Sequence, residues 1–549
     1  MPKLSRSDLT LAALGVLGVL AVVGLYKSAF PLSIVDLEIT GDEAVSYATQ
    51  QVEALGGDVT DFRRAQLFTG ETEALIFLQK NLDAAQASEW AGKKTPIWTW
   101  AVRWFKPLET EEWLVDVGVD GNVVAFRHIV EETASGASLD QTAARQIAVD
   151  YLAASHGFAN LEEVSAVTDA KANRTDHLFI WRSSADTIAW EGDGVGESRV
   201  SVRIVGDQIG GMARWLHVPE EFSRELENTL SVGTLLAVGS IVITVLLTLA
   251  AAIIAIARYK AGDIDWRTAI VCGVIVGSMF AVSIATNWPQ AQFGYQTQIS
   301  WTVFIGSALL GLVLLSVFYI VFVTFPTAAG ASMTKQFFPR ALDGFSDMFA
   351  GRVFTPQFGA AALRGYAFAA LFLGYLTAFY YFAQGSLGAW MPAEGPYSSI
   401  FNNVFPFLTP LTISLVAAIS EETIYRLFGI SLFKKLTGST WMALLIPAVI
   451  WAFGHSNYPV FPVYVRGIEL TIGGLLFGWA FLRFGLVTVI VAHYVVDAVA
   501  LGMPLVTSSN PTYIVSGLIA ISLALVPGVI GLLAGRRSGA APEPEQIPA

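Results

Sequence analysis

The chain has little of what a soluble protein of 549 residues relies on. It carries one cysteine, Cys272, inside an apolar run, which excludes a disulfide framework. Only 14% of its residues are charged, 54% are hydrophobic, and the apolar ones come in long blocks. That excludes a soluble chain and defines a polytopic membrane protein. Histidine is scarce, with six in all. Two hydrolase spacings are missing as well. There is no His-Glu-x-x-His, so no zincin helix, and no Gly-x-Ser-x-Gly elbow for a serine nucleophile.

Charge is unevenly spread. Between Pro31 and Asn228, 33 Asp+Glu stand against 16 Lys+Arg, a balance of −17. The remaining 12 acids and 17 bases leave +5 elsewhere, which together make the overall −12. An acidic soluble domain is therefore joined to a slightly basic membrane domain. The acidic domain argues against nucleic acid and against adhesion to anionic lipid. Nothing in the sequence sets an oligomeric state.

The first segment, residues 1–30, places an apolar helix from Leu9 to Tyr26 behind Lys3 and Arg6. Its run is long for a signal peptide and no small-x-small site precedes Pro31, so it reads as an uncleaved anchor. Residues 31–228 hold no spanning stretch but contain an internal repeat. Trp113–Phe126 alternates as strand, Asp120-Gly121 turn, strand, and runs into His128; Val200–Gly211 repeats that hairpin and runs into His217. Each is preceded by a helical pattern with an acidic first turn, Asp42–Leu55 and Asp140–Ala154. Two α+β modules are expected, about 31–135 and 136–228, and they resemble PepSY-type modules. His128 and His217 read as one packing or turn position used twice.

Past residue 228 the pattern turns to spanning helices, expected near 233–257, 268–286, 301–325, 361–383, 404–434, 440–456, 467–484, 485–505 and 512–534. With the anchor they make ten. Additional helices would fill 229–360 and a second membrane unit 361–535, with a disordered tail over 536–549. Lys and Arg cluster in alternate loops: Arg258, Lys260 and Arg267; Lys335, Arg340, Arg352 and Arg364; Lys434 and Lys435; Arg483; Arg536 and Arg537. The loops 287–300, 384–402 and 506–511 have none, and Arg466 is the exception. The positive-inside rule then puts both termini in the cytoplasm and 31–228 outside.

Against that apolar background, Ser420-Glu421-Glu422-Thr423-Ile424-Tyr425-Arg426 is costly. Each ionised side chain at mid-membrane costs roughly 2.5–3.5 kcal/mol on insertion scales. The available partners are Trp451-x-x-x-His455 and His493-x-x-x-Asp497, with Glu469 beside Arg466. Spacings of four put Glu422 with Arg426, and His493 with Asp497, on common helix faces. Counted at about 1.5 Å per residue from the basic loops, Glu421, His455 and His493 fall at overlapping depths, roughly 12–22 Å. Pro406 and Pro410 are expected to kink the Glu421 helix. These residue types activate water. A buried carboxylate serves as general base, and imidazoles with a carboxylate either ligate a divalent metal or stabilise an oxyanion.

The ordered trio Glu-Glu-x-x-x-Arg, aromatic-x-x-x-His and His-x-x-x-Asp resembles the CPBP family, intramembrane proteases that include the type II CAAX prenyl endopeptidases and the Abi proteins. The resemblance covers about 360–535. It implies an intramembrane endopeptidase with Glu421 as water-activating base and Glu422 and Arg426 as its charge partners. It implies that His455, His493 and Asp497 bind metal or oxyanion, with Glu421, His455, His493 and Asp497 as the set for a divalent ion, Zn2+ first. Expected partners are membrane lipid and a membrane-associated protein or peptide substrate, in a bacterial membrane. Trp451 stands where phenylalanine is usual. Asp497 stands where the prenyl proteases have asparagine, which favours metal coordination or a different pKa balance and puts a prenylated substrate in doubt. The same residues would also suit a proton- or cation-coupled transporter, although no second half repeats the motif helices. A third possibility is a scaffold carrying an outer binding module. Glu469 with Arg466 reads as an interfacial ion pair, and Asn457 and Tyr458 as candidates to line an entrance.

Overall fold

A computed structural model describes residues 5–30, 37–154, 160–260, 262–390 and 400–536. The region around Pro31 and the tail over 537–549 lie outside the described residues. Helix α1 (Arg6–Ala29) opens on a capping box between Ser5 and Asp8. It lies along a later helix, α11 (Pro356–Leu387), to which Asp8 is tied by an ion pair with Arg364 at 2.7 Å.

The acidic segment forms a single eight-stranded antiparallel sheet. Helix α2 (Gly41–Ala54) leads into β1 (Arg63–Gly70), β2 (Trp98–Phe105), β3 (Glu112–Gly118) and β4 (Val123–Ile129). Two short helices, α3 (Thr72–Asn81) and α4 (Ala84–Glu89), interrupt β1 and β2. Helix α5 (Gln141–Ala154) leads into β5 (Leu161–Ala170), β6 (Thr175–Ile188), β7 (Gly196–Val205) and β8 (Gln208–His217). The spatial order β1-β2-β3-β4-β8-β7-β6-β5 shows two helix-plus-meander halves joined edge to edge through β4 and β8. Both hairpins read from the sequence are present. Gly121, at φ 88°, takes the left-handed turn that a side chain would strain.

The two repeated histidines differ in their surroundings. His128 stacks on Trp113 with ring centroids 3.8 Å apart and bonds Glu111 at 3.0 Å. Burial, and then Arg199, hold His217 below the usual histidine range. Because β4 and β8 are antiparallel, the two rings lie toward opposite ends of the joint sheet.

Eight helices among the described residues are long and apolar enough to cross a membrane, which makes this an integral membrane protein. Several overrun the expected limits: α6 (Glu220–Tyr259) continues from the sheet domain without a break, and α9 (Trp301–Phe337) and α11 extend beyond their apolar cores. Helix α7 (Trp266–Thr286) lies between α6 and α9 in sequence and is followed by α8 (Trp288–Phe293) and, after α9, by the short α10 (Phe345–Phe349). The expected 404–434 helix is built differently. It starts at Leu408 as α12 (Leu408–Glu421), becomes a π-helix over Glu422–Ile430, and resumes as α13 (Ser431–Thr437). Pro406 precedes it and Pro410 sits in its first turn, where proline costs no hydrogen bond, so the irregularity falls at the acidic motif instead.

Helix α14 (Thr440–Phe453) is short, and His455 lies in the turn beyond it rather than on the helix. Helices α15 (Tyr464–Phe484) and α16 (Leu486–Val506) follow the expected limits closely. The last expected span is two helices, α17 (Pro511–Ala524) and α18 (Val526–Arg536).

Candidate functional site

Three segments converge: the junction of α12 with the π-helix, which carries Glu421, Glu422 and Arg426, the end of α14, and the middle of α16. Adjacent side chains on a helix point about 100° apart, so the two glutamates meet different partners. Glu422 is fully buried; its Oε1 accepts from His493 Nδ1 at 2.8 Å and lies 3.1 Å from Arg426. Glu421 keeps some solvent contact, accepts from the Trp451 indole N–H, and lies 3.8 Å from His493 Nε2. That same Nε2 is 3.4 Å from Asp497. His493 is therefore held by Glu422 at one ring nitrogen and faces Glu421 and Asp497 with the other. A carboxylate on Nδ1 fixes the ring and its tautomer, because that nitrogen must carry the proton.

Arg426 lies between two rings, 4.3 Å from the centroid of Trp451 and 5.1 Å from that of Phe477. This cation–π sandwich replaces much of the hydration that a buried guanidinium loses. His455 donates its Nδ1 proton to the Trp451 carbonyl at 2.9 Å, which leaves Nε2 unprotonated in the neutral ring. Its ring stands edge-on to Trp451, centroids 5.4 Å apart, and the Trp451 ring is 6.1 Å from that of His493. Trp451 thus joins both imidazoles to Glu421.

All six residues expected from the sequence come into one neighbourhood. Among the described residues no three His, Cys, Asp or Glu side chains are placed to hold one ion. The nitrogens engaged by Glu422 and by the Trp451 carbonyl are both Nδ1, the usual orienting bond of a metal-ligating imidazole, so these bonds leave Nε2 of each ring for other partners.

Glu469 pairs with Arg466 at 2.6 Å as anticipated, is wholly buried within the protein, and accepts a hydrogen bond from the Tyr380 hydroxyl at 3.3 Å. Asn457 and Tyr458 are exposed beside His455. Two working residues carried no assigned role in the sequence: the Trp451 indole and Phe477. Phe477 sits among Gly473, Gly474 and Gly478, and a Cβ at Gly474 would come within 2.8 Å of Ala448. That glycine run was the available signal, since it lets α15 approach α14 closely enough for Phe477 to reach Arg426.

Residues 403–499, which contain this whole arrangement, match the family of "Type II CAAX prenyl endopeptidase Rce1-like" proteins. The match gives the chain a CAAX-protease-type membrane domain over that segment. Among curated proteins, the sporulation-killing factor biosynthesis protein SkfC of Bacillus subtilis (strain 168) is 32% identical over 107 residues, which is 20% of this chain and 22% of that protein. The chain therefore aligns with about a fifth of that relative's length. No solved structure matches at a significant level.

Proposed function

We propose that this protein is an intramembrane endopeptidase in which Glu421 activates the water that attacks a peptide carbonyl. The observation that supports this reading is the placement of Glu421. It is the one member of the acidic pair with solvent contact, it is oriented by an indole N–H, and it faces His493 Nε2 at 3.8 Å. A carboxylate so placed, within water-bridging distance of an imidazole, suits general-base catalysis.

The charge balance assigns the other roles. Arg426 pairs with Glu422, while Glu421 and Asp497 lie 3.8 Å and 3.4 Å from His493 Nε2, where one positive charge would serve both. His493 supplies it by binding a second proton on Nε2, between Asp497 and Glu421. As an imidazolium it donates to the oxyanion that forms when the water adds. Glu422 and Arg426 position that ring and do not touch substrate. Glu421, protonated by the water, returns its proton to the leaving amine. His455, with Nε2 open, packs against the Trp451 that holds Glu421 and serves as a second proton acceptor. The substrate class is a membrane-associated protein or peptide, and the acidic sheet domain lies on the extracytoplasmic side.

The test is cleavage of membrane peptides by purified protein. Glu421→Gln keeps the acceptor for Trp451 and removes the base, so activity should fall by roughly 10²-fold or more with the fold intact. Full activity in Glu421→Gln, or in His455→Ala, overturns the assignment. Metal content of wild type and His493→Ala decides the source of the extra charge. A stoichiometric ion lost in the variant would put a metal where the imidazolium proton is assigned.

A further inference from the structure

The seam where the two halves of the sheet join has one covered face and one open face. On the covered face Val115, Phe126, Met212 and Val202 share a core with α2 and α5. The alternate residues point the other way and line a groove of about 420 Å³. Its floor is made of small residues: Ala125, Ala213 and Ser201 are register neighbours on β4, β8 and β7. Leu114 forms one wall and Leu178 and Ile180 the other, with Trp215 along the floor strand.

Arg127 and Arg203 are both register partners of Gly211. Their Cα atoms are therefore two strand spacings apart, about 10 Å, with no side chain between them. Other arginines on this face are occupied. Arg103 holds Glu112 at 2.7 Å, Arg182 holds Glu162 at 3.0 Å, and Arg199 holds Glu197 at 2.5 Å. Among the described residues, Arg127 and Arg203 enter no hydrogen bond or salt bridge, although Arg127 lies near enough to Asp116 to act on its charge. Two guanidiniums that flank a glycine on one face of the sheet and enter no hydrogen bond or salt bridge, in a segment of net charge −17, form a local anion site. The third charged group in the groove is Asp116. Burial pushes its carboxyl up to about 6, with Arg127 pulling down and Glu71 pushing up.

We propose that this groove binds a short extended peptide by a carboxylate held between Arg127 and Arg203, with the flanking apolar side chains seated on Leu114, Leu178 and Trp215. The apolar walls favour a peptide over a bare anion, because a free phosphate would leave them in water. The inference does not depend on the chemistry at Glu421.

The experiment is fluorescence polarisation with full-length protein in a neutral detergent. The probe is a labelled, C-terminally amidated Ala-Leu-Glu-Leu-Ala, compared with its Gln counterpart, so that a single carboxylate differs. Wild type should prefer the Glu peptide by about tenfold or more, the worth of one charge-assisted bidentate contact. Arg127→Ala and Arg203→Ala should each remove most of that preference, and the Lys variants should restore part of it. Binding should tighten from about pH 7.5 to about pH 5.5, where Asp116 gains its proton while a peptide glutamate, near 4.3, stays ionised. Glu421→Gln should bind like wild type, which separates this site from the proteolytic one. Equal affinity for the two peptides, or unchanged binding in both Ala variants, overturns the proposal. So does displacement by inorganic phosphate at concentrations equal to the peptide's, which would mark a small-anion site.

Discussion

Arg426 shows how a charge is kept inside a lipid-embedded helix. Its guanidinium lies against the faces of Trp451 and Phe477 and beside the fully buried Glu422. Removing one partner of a buried pair leaves the other uncompensated, typically at 3–5 kcal/mol. Arg426→Ala should therefore destabilise the purified protein by about that much, read as a lowered unfolding midpoint in detergent. Arg426→Lys keeps the charge but not the flat stack, so it should recover only part of the loss. Equal stability of Arg426→Ala and wild type would show that Glu422 does not need the guanidinium. The acidic motif and its partners were legible in the sequence because charge is so rare in apolar runs. The role of the Trp451 indole was not, since a tryptophan in a membrane helix is usually an interface residue.

At the scale of elements, close approach decides which helices pair. A Cβ on Gly18 would stand 2.2 Å from the Ala370 carbonyl oxygen, and one on Gly374 would stand 2.3 Å from the Gly18 Cα. Small residues let α1 and α11 touch backbone to backbone, a common basis of helix association in lipid. Gly24, in the same helix, has nothing within 4 Å of its Cβ position. Gly18→Leu should lower the unfolding midpoint by an amount typical of overpacking, about 1–3 kcal/mol, while Gly24→Leu should be neutral. A matched response of the two would count against this packing. The helix ends and the π-turn over Glu422–Ile430 were not visible beforehand. Hydrophobic periodicity reports which face is apolar and says little about whether a hydrogen bond closes at four residues or five.

In the whole molecule, the sheet domain is docked on the membrane domain and not tethered loosely. Asn402 accepts a hydrogen bond from the Phe68 N–H and donates one to the Phe68 carbonyl at 3.2 Å, so a single side chain pairs with edge strand β1 as a neighbouring strand would. Phe401 packs on the Phe68 ring at 5.2 Å. Asn402→Ala should leave a buried amide and carbonyl unpaired, at about 1–3 kcal/mol, and should speed hydrogen exchange in β1. Unchanged exchange there would show that the edge is protected by something else. The sequence by itself determined that this is a membrane protein with an acidic, twice-repeated α+β segment, and it singled out Glu421, Glu422, Arg426, His455, His493 and Asp497. It could do so because hydropathy, alternation and rare charges are local properties of the chain. Packing between distant segments was needed to show that the two repeats share one sheet, that Glu421 and Glu422 serve different partners, that Glu469 is buried, and that Arg127 and Arg203 flank Gly211. Each of these depends on which distant segments meet, and that is set by packing rather than by any pattern along the chain.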